Sequence, residues 1–224
     1  MIQIYLIRHG QTRFNQQKIV QGWNDSPLTE QGIYQAKCTG YGLRNTVFTK
    51  AFSGDTMRQI HTAETIMKEN LHPIKIIPDP HFREMCYGKY EGGSYYEMLN
   101  PLYEIKNAEY NGYDGLYHFY NDIEIATELF KNDETERFEG YIKSWERISE
   151  GLDTICKENT EGTILISTSS FAICTTIYHL FPDFKQPRLV SNASVTIISY
   201  DGSFHLLDYN NTDYRKEGET HFSF

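Results

Sequence analysis

Ile4-Tyr5-Leu6-Ile7-Arg8-His9-Gly10-Gln11-Thr12-Arg13-Phe14-Asn15 decides the fold. From Ile2 to Ile7 the chain is almost uninterrupted hydrophobe, rich in β-branched and aromatic types, and then turns polar. Such a run reads as a buried strand, parallel and central in its sheet. Open α/β sheets hold their ligands at the carboxyl ends of strands. Arg8 and His9 fall there, and Gly10 lets the backbone turn sharply and a ligand approach it closely. A guanidinium grips two phosphoryl oxygens through charge-assisted bonds. A neutral imidazole beside it is a nucleophile able to accept the phosphoryl group. Thr12 and Asn15 add neutral donors at offsets that favour a built pocket over a strand end with a solvated Arg and an incidental His.

Working outward, the 224 residues suffice for one α/β domain with a sizeable core, or for a core domain with an insertion. The formal charge of −9 argues against non-specific nucleic-acid binding. It leaves room for a phosphorylated substrate, because a local arginine cluster reverses the field inside a pocket. No apolar stretch approaches the length of a membrane span, and Met1-Ile2-Gln3 has no basic segment of the signal-peptide kind. Cys38, Cys86, Cys156 and Cys174 are scattered without a CxxC pair, which reads as reduced thiols in a cytoplasmic protein rather than as a zinc site. Tyrosine is abundant, 17 against 2 tryptophans, and many cluster between Tyr87 and Tyr120, marking a region of distinct character.

Along the chain, Gln16 to Pro27 reads as a polar loop in which Gln21-Gly22-Trp23 borders the pocket. Thr29 is a suitable N-cap for a helix to about Arg44, with Glu30 at its positive end and Ile33, Ala36, Tyr41 and Leu43 available to the core. Val47 to Ser53 and Ile74 to Ile77 are further strand candidates. Ser94 to Lys106 and Asn121 to Lys131 read as helices. From Thr135 a long amphipathic helix carries Phe138, Tyr141, Ile142, Trp145, Ile148 and Leu152 at helical spacing. Thr163 to Ile166 is another buried strand, with a helix from about Phe171 to Leu180. Val195 to Tyr200 and Ser203 to Leu207 form a hairpin around Asp201-Gly202. The alternation of strands and helices predicts a doubly wound, mostly parallel α/β sheet flanked by helices.

Arg8-His9-Gly10-x-Thr12-x-x-Asn15 resembles the signature of the histidine phosphatase superfamily, the phosphoglycerate-mutase-like proteins. Leu28-Thr29-Glu30-Gln31-Gly32 with Gln35-Ala36 is similar to its second element. Ser53, Arg58 and Thr62-Ala63 match a third, and His81 to Gly92 resembles its Leu-x-Glu-x-x-x-Gly-x-x-Glu-Gly block. The resemblance covers nearly all of residues 1–224 as one domain and is weakest at about 94–135. It implies that this segment is an insertion folding over the pocket as a lid, its aromatics packing the lid more readily than lining a cleft. It further implies that His9 forms a phosphohistidine, that Arg8 and Arg58 clamp the phosphoryl oxygens, and that Glu84 serves as acid and then base, which needs a raised pKa. Glu91 reads as a structural anchor. Neither metal nor cofactor is called for, since arginines supply the positive charge.

One element departs from the family pattern. In the resembling proteins the strand matching Thr163 to Ile166 leads into a second catalytic histidine, and here Ser169 stands at that position, a one-residue slip exchanging it for Thr168 or Ser170. Three readings stay open. Ser169 donates directly or through a water, Ser170 or a lid residue takes over, or the pocket binds phosphate and barely turns it over. The favoured function is hydrolysis of a small phosphate monoester. Gly93 to Tyr103 lacks the Lys and Arg of a mutase substrate loop, so mutase-type isomerase chemistry is the alternative, with a phosphate-ligand regulatory relative as the third. The expected partner is a small phosphorylated substrate, with neither nucleic acid nor membrane, and a homodimer is the assembly considered.

Overall fold

The computed structural model describes residues 1–184 and 189–222. Strand β1 (Ile2–Arg8) lies inside a six-stranded sheet, between β4 (Gly162–Thr168) and β5 (Val195–Tyr200). Beyond β4 come β2 (Lys50–Ser53) and β3 (Ile76–Pro78), and beyond β5 comes β6 (Phe204–Asn211). The order is β3-β2-β4-β1-β5-β6. Pairings from β3 to β1 are parallel, whereas the hairpin of β5 and β6 joins antiparallel at the other edge.

Alternation along the central strands builds two faces. Ile2, Ile4 and Leu6 of β1, with Ile164 and Ile166 of β4, pack against α7 (Gly140–Glu158) and α8 (Ser170–Leu180) through Ile148, Leu152, Ile155, Ile173 and Ile177. Ile7 and Leu165 point to the opposite face, where α2 (Glu30–Gly42) and α3 (Met57–Glu69) present Ala36, Ala63 and Ile66. A short α1 (Arg13–Gln17) follows β1. A third apolar cluster sits apart from the sheet faces. It joins α4 (Tyr95–Ile105), α5 (Gly112–Leu116) and α6 (Asp122–Lys131) to Met85, Tyr87, Phe138 and Phe171.

Several expectations are met in detail. Thr29 caps α2 by accepting the Gly32 amide, and Ser94 and Asn121 head capping boxes at α4 and α6. Others need correction. Ile33 and Ile142 face solvent, at 49% and 68% exposure, so neither belongs to the core. The helix expected from Thr135 begins at Gly140, because Asp133 accepts the amides of Lys89 and Phe138 and holds the intervening residues as a loop. Phe138 is thereby buried under Tyr87 and Tyr90 rather than on the helix.

The last helix, α9 (Asp213–Phe222), carries too little hydrophobic pattern to be read from sequence. It docks on α2 through missing side chains. A Cβ at Gly218 would overlap the Cys38 carbonyl, and one at Gly42 would overlap the Tyr214 carbonyl. Gly218→Ala should therefore destabilise the protein by about 1–3 kcal/mol through overpacking, although alanine is the better helix former by about 1 kcal/mol. Chemical denaturation checks this, and a neutral or stabilising substitution would show that the close approach is not required.

Candidate active site

The parallel register sets Arg8 opposite Thr168, and the His9 amide donates to the Thr168 carbonyl at 2.9 Å. The ends of β1 and β4 thus finish side by side, and β4 passes through Ser169 into α8. A helix start leaves amide N–H groups unpaired and carries partial positive charge. Ser169 occupies the N-cap but makes no side-chain cap bond. Glu84 supplies it instead. Its Oε2 accepts the Phe171 amide at 3.0 Å, and its Oε1 accepts those of Ala172 at 3.0 Å and Met85 at 2.9 Å. The carboxyl group is buried. Burial pushes its pKa up, opposed by the Met85 and Phe171 amides and by the charges of Arg58 and Arg8.

His9 is 4% exposed, and its Nδ1 lies 2.8 Å from the Gly10 carbonyl. A carbonyl only accepts, so Nδ1 carries the proton and the Nε2 lone pair is left available. Burial, then the charges of Arg58 and Arg8, holds His9 well below the usual imidazole range. Arg8 donates from Nη1 to the Val190 carbonyl, while its buried Nε has no partner among the described residues.

A small cavity of about 50 Å³ opens over these groups. Arg8, His9, Asn15, Gln21, Glu84 and Ser170 form its polar side, and Val20, Tyr87, Tyr95, Met98 and Tyr113 face them. Six of the ten residues singled out from sequence are thus brought together. Thr12, Gly22, Arg58 and Ser169 are not part of the wall. Thr12 is spent capping α1, in a reciprocal box with Asn15. The Gly22 amide donates to Glu91, and its carbonyl accepts from Arg58 Nη2 at 2.6 Å. Arg58 also donates from Nη1 to the Asn24 carbonyl and to Asp25, at 2.8 and 3.1 Å. With the Gln21 amide turned to satisfy all its neighbours, Gln21 Oε1 accepts from Arg58 Nε and Nη1. Of the two arginines expected to clamp a phosphoryl group, Arg8 lines the cavity and Arg58 is bonded to the loop at Gly22 to Asp25. Ser169 is fully buried, and its Oγ accepts from Gln59 Nε2 at 2.9 Å.

Glu91 anchors as expected, accepting the amides of Gly22, Trp23, Asn24 and Tyr87. The tyrosine-rich segment does more than pack itself. Tyr95 and Tyr113 reach the cavity while Tyr103 and Tyr110 pack behind them. The local density of tyrosine was the available signal, but it does not say which rings turn inward. Burial raises Tyr87 and Tyr113 well above the usual phenol range, so both remain hydrogen-bond donors at neutral pH.

The family model for the histidine phosphatase superfamily, branch 1, matches residues 4–212. The chain belongs to that superfamily. Within the superfamily, it is 43% identical over 104 residues to fructose-2,6-bisphosphatase TIGAR of Xenopus laevis, covering 45% of this chain and 35% of that protein. It is 34% identical over 115 residues to the probable phosphoglycerate mutase GpmB of Yersinia pestis (strain Pestoides F), covering 51% and 53%. The chain thus matches about a third to a half of the length of these curated relatives. The crystal structure of phosphoglycerate mutase from Bacillus anthracis str. Sterne superposes with a TM-score of 0.89 at 28% identity, covering 97% of this chain and 96% of that one. No described helix of this superfamily member is long and apolar enough to cross a membrane.

The depressed His9 pKa has a definite sign. A histidine that binds its proton less readily when folded makes the fold less stable as pH falls through the unfolded value near ~6.5. At pH 6, nitrogen-15 NMR should find the His9 ring neutral and protonated on Nδ1. A doubly protonated ring at that pH would contradict the electrostatic account.

Proposed function

We propose that this chain hydrolyses a small phosphate monoester through a phosphohistidine on His9. The observation that carries the reading is the pairing of an available Nε2 on a neutral, buried His9 with Arg8 in the same wall, whose Nε has no partner among the described residues. A buried donor without a partner is costly, and a phosphoryl oxygen satisfies it. His9 Nε2 attacks phosphorus, the N–P bond forms, and the ester P–O bond breaks. Glu84, whose pKa burial raises, gives a proton to the departing alkoxide in its protonated form. Water then attacks phosphorus, loses a proton to the Glu84 carboxylate, and the N–P bond breaks to release phosphate. Asn15, Gln21 and Ser170 complete the polar wall, and Arg58 contributes its charge from below. Residues 94–135 serve as the lid, their tyrosines limiting the size of the alcohol portion.

Relatives named as a fructose-2,6-bisphosphatase and a probable phosphoglycerate mutase support phosphoryl chemistry. The absence of Lys and Arg from Gly93 to Tyr103 favours hydrolysis over a mutase reaction. The four scattered free cysteines favour a reducing, cytoplasmic setting. A homodimer is compatible with this reading and forms no part of the chemistry. On exposure to a reactive phosphate donor, the protein should acquire an acid-labile, base-stable adduct that His9→Ala abolishes. A serine or aspartyl adduct would sink the mechanism.

A second reading, phosphate binding with slow turnover, draws support from Ser169. Ser169 stands where the family pattern has the second histidine, and its hydroxyl accepts from Gln59. The Gln59 amide is itself buried, accepting from Thr56 Oγ1 at 2.7 Å and donating to the Phe82 carbonyl at 3.3 Å. It fills space that an imidazole at position 169 would need. Ser169→His alone should overpack and fail to raise kcat. Combined with Gln59→Ala it should raise kcat about tenfold, within the range for one preorganised donor. Steady-state kinetics on the two variants decides it, and no gain in a folded double variant would remove Ser169 as the limiting element.

A further inference from the structure

Glu84 belongs to a strap, residues 79–87, that is almost free of regular structure. One 3-10 turn (Pro80–Phe82) opens it, and it joins no strand of the sheet. Main-chain carbonyls in such a segment need partners from elsewhere. On one side they find a single side chain, Arg147 of α7. Its Nη1 donates to the carbonyls of His81 at 2.8 Å and of Pro80 and Arg83 at 3.2 Å. Its Nη2 donates to the carbonyl of Glu84 itself at 3.2 Å.

The guanidinium is fixed in turn by Glu139 at the start of α7. Nε and Nη2 form a forked pair with its carboxylate at 2.7 and 2.9 Å. The two side chains are only 16% and 11% exposed. Glu139 grips the strap as well. It accepts the Cys86 amide at 3.2 Å, and its own amide donates to the Cys86 carbonyl at 3.0 Å. One ion pair therefore holds the main chain before, at and after Glu84. The planar fork and five donors of arginine suit this task, and lysine cannot reproduce it. Opposite the fork, Thr168 and Gln59 hold the Phe82 carbonyl, and the Trp23 indole holds that of Glu84.

We propose that Arg147, locked by Glu139, is the positioning residue that sets the Glu84 carboxyl group against the amides of α8 and the cavity. It does not line the cavity and acts through the main chain of the strap, the Glu84 carbonyl included. The proposal rests on the phosphomonoesterase reading for its kinetic arm and is independent of it for its structural arm. Losing the fork lets the strap drift, and a misplaced acid matters most where the leaving group needs its proton.

The experiment compares wild type, Arg147→Met, Arg147→Lys, Glu139→Gln and Glu84→Gln as full chains. The substrates are 4-nitrophenyl phosphate, whose leaving group needs little help, and an alkyl phosphate, whose leaving group needs a proton. Arg147→Met should lower kcat on the alkyl ester at least about tenfold more than on the aryl ester, with KM nearly unchanged. Arg147→Lys should recover part of the loss. Added to Glu84→Gln, Arg147→Met should cost nothing further on the alkyl ester, because the two act as one unit. In parallel, hydrogen exchange should show the Phe171 and Ala172 amides losing protection in Arg147→Met while amides of β1 and β4 keep theirs. Should Arg147→Met fail to fold, Glu139→Gln carries the same expectations at smaller amplitude. Equal losses on both esters, full additivity with Glu84→Gln, or unchanged protection of Phe171 and Ala172 would overturn the proposal. A wild type that neither forms phosphohistidine nor turns over would overturn the phosphomonoesterase reading alone, leaving the exchange measurement to decide the role of Arg147.

Discussion

A buried carboxylate resting on the first amides of α8 is the contact around which the rest of the site is arranged. Removing a carboxylate from water costs several kcal/mol unless its oxygens are satisfied. Glu84 meets that requirement with three main-chain amides, two of them from a helix start 87 and 88 residues further along the chain. The helix needs the contact equally, because its own N-cap residue caps nothing. Each side thus resolves the other's unsatisfied groups, and the strap bearing Glu84 is drawn to the ends of β1 and β4. The competing influences on its proton, burial against amides and arginine charge, leave the carboxyl pKa raised.

The loop at Gly22 to Asp25 repeats this logic with the roles reversed. Glu91 collects its amides, and Arg58 collects its carbonyls and the Asp25 carboxylate. Arg58 is completely buried, and Asp25 supports its charge. That charge still reaches His9 and helps to keep the imidazole neutral. Two arginines that look equivalent in sequence therefore divide the work. Arg8 lines the cavity with an Nε that has no partner among the described residues, and Arg58 fixes the loop while lowering the His9 pKa. Arg147 makes a third case, in which a guanidinium stands in for a strand ladder.

Much of this molecule was legible in the order of its residues. The apolar run ending in Arg8-His9-Gly10 located the central strand and the end of it at which His9 meets the cavity, because a strand end in a parallel sheet is a geometrical consequence of the pattern. Thr29 marked the start of α2 as its cap, because a cap is a local bond between near neighbours. Glu84 and Glu91 stood out through the resemblance of His81 to Gly92 to the superfamily's block. The start of α7 was misread because Asp133 binds amides that a helix would have used, a competition that hydrophobic periodicity does not register.

What only the tertiary structure decided is which donors remain free once the chain has folded. Arg58 spends its donors on the Gly22 to Asp25 loop, whereas Thr12 and Ser169 are held by bonds that their hydroxyls accept, from the Asn15 amide and from Gln59 Nε2. Tyr95 and Tyr113 turn inward while neighbouring tyrosines do not. Sequence by itself determined the inventory of groups and the strand end at which they meet, since both follow from residue identity and periodicity. Hydrogen-bond saturation is a property of contacts between distant segments, and it was settled only when β1, β4, the strap and α7 came together.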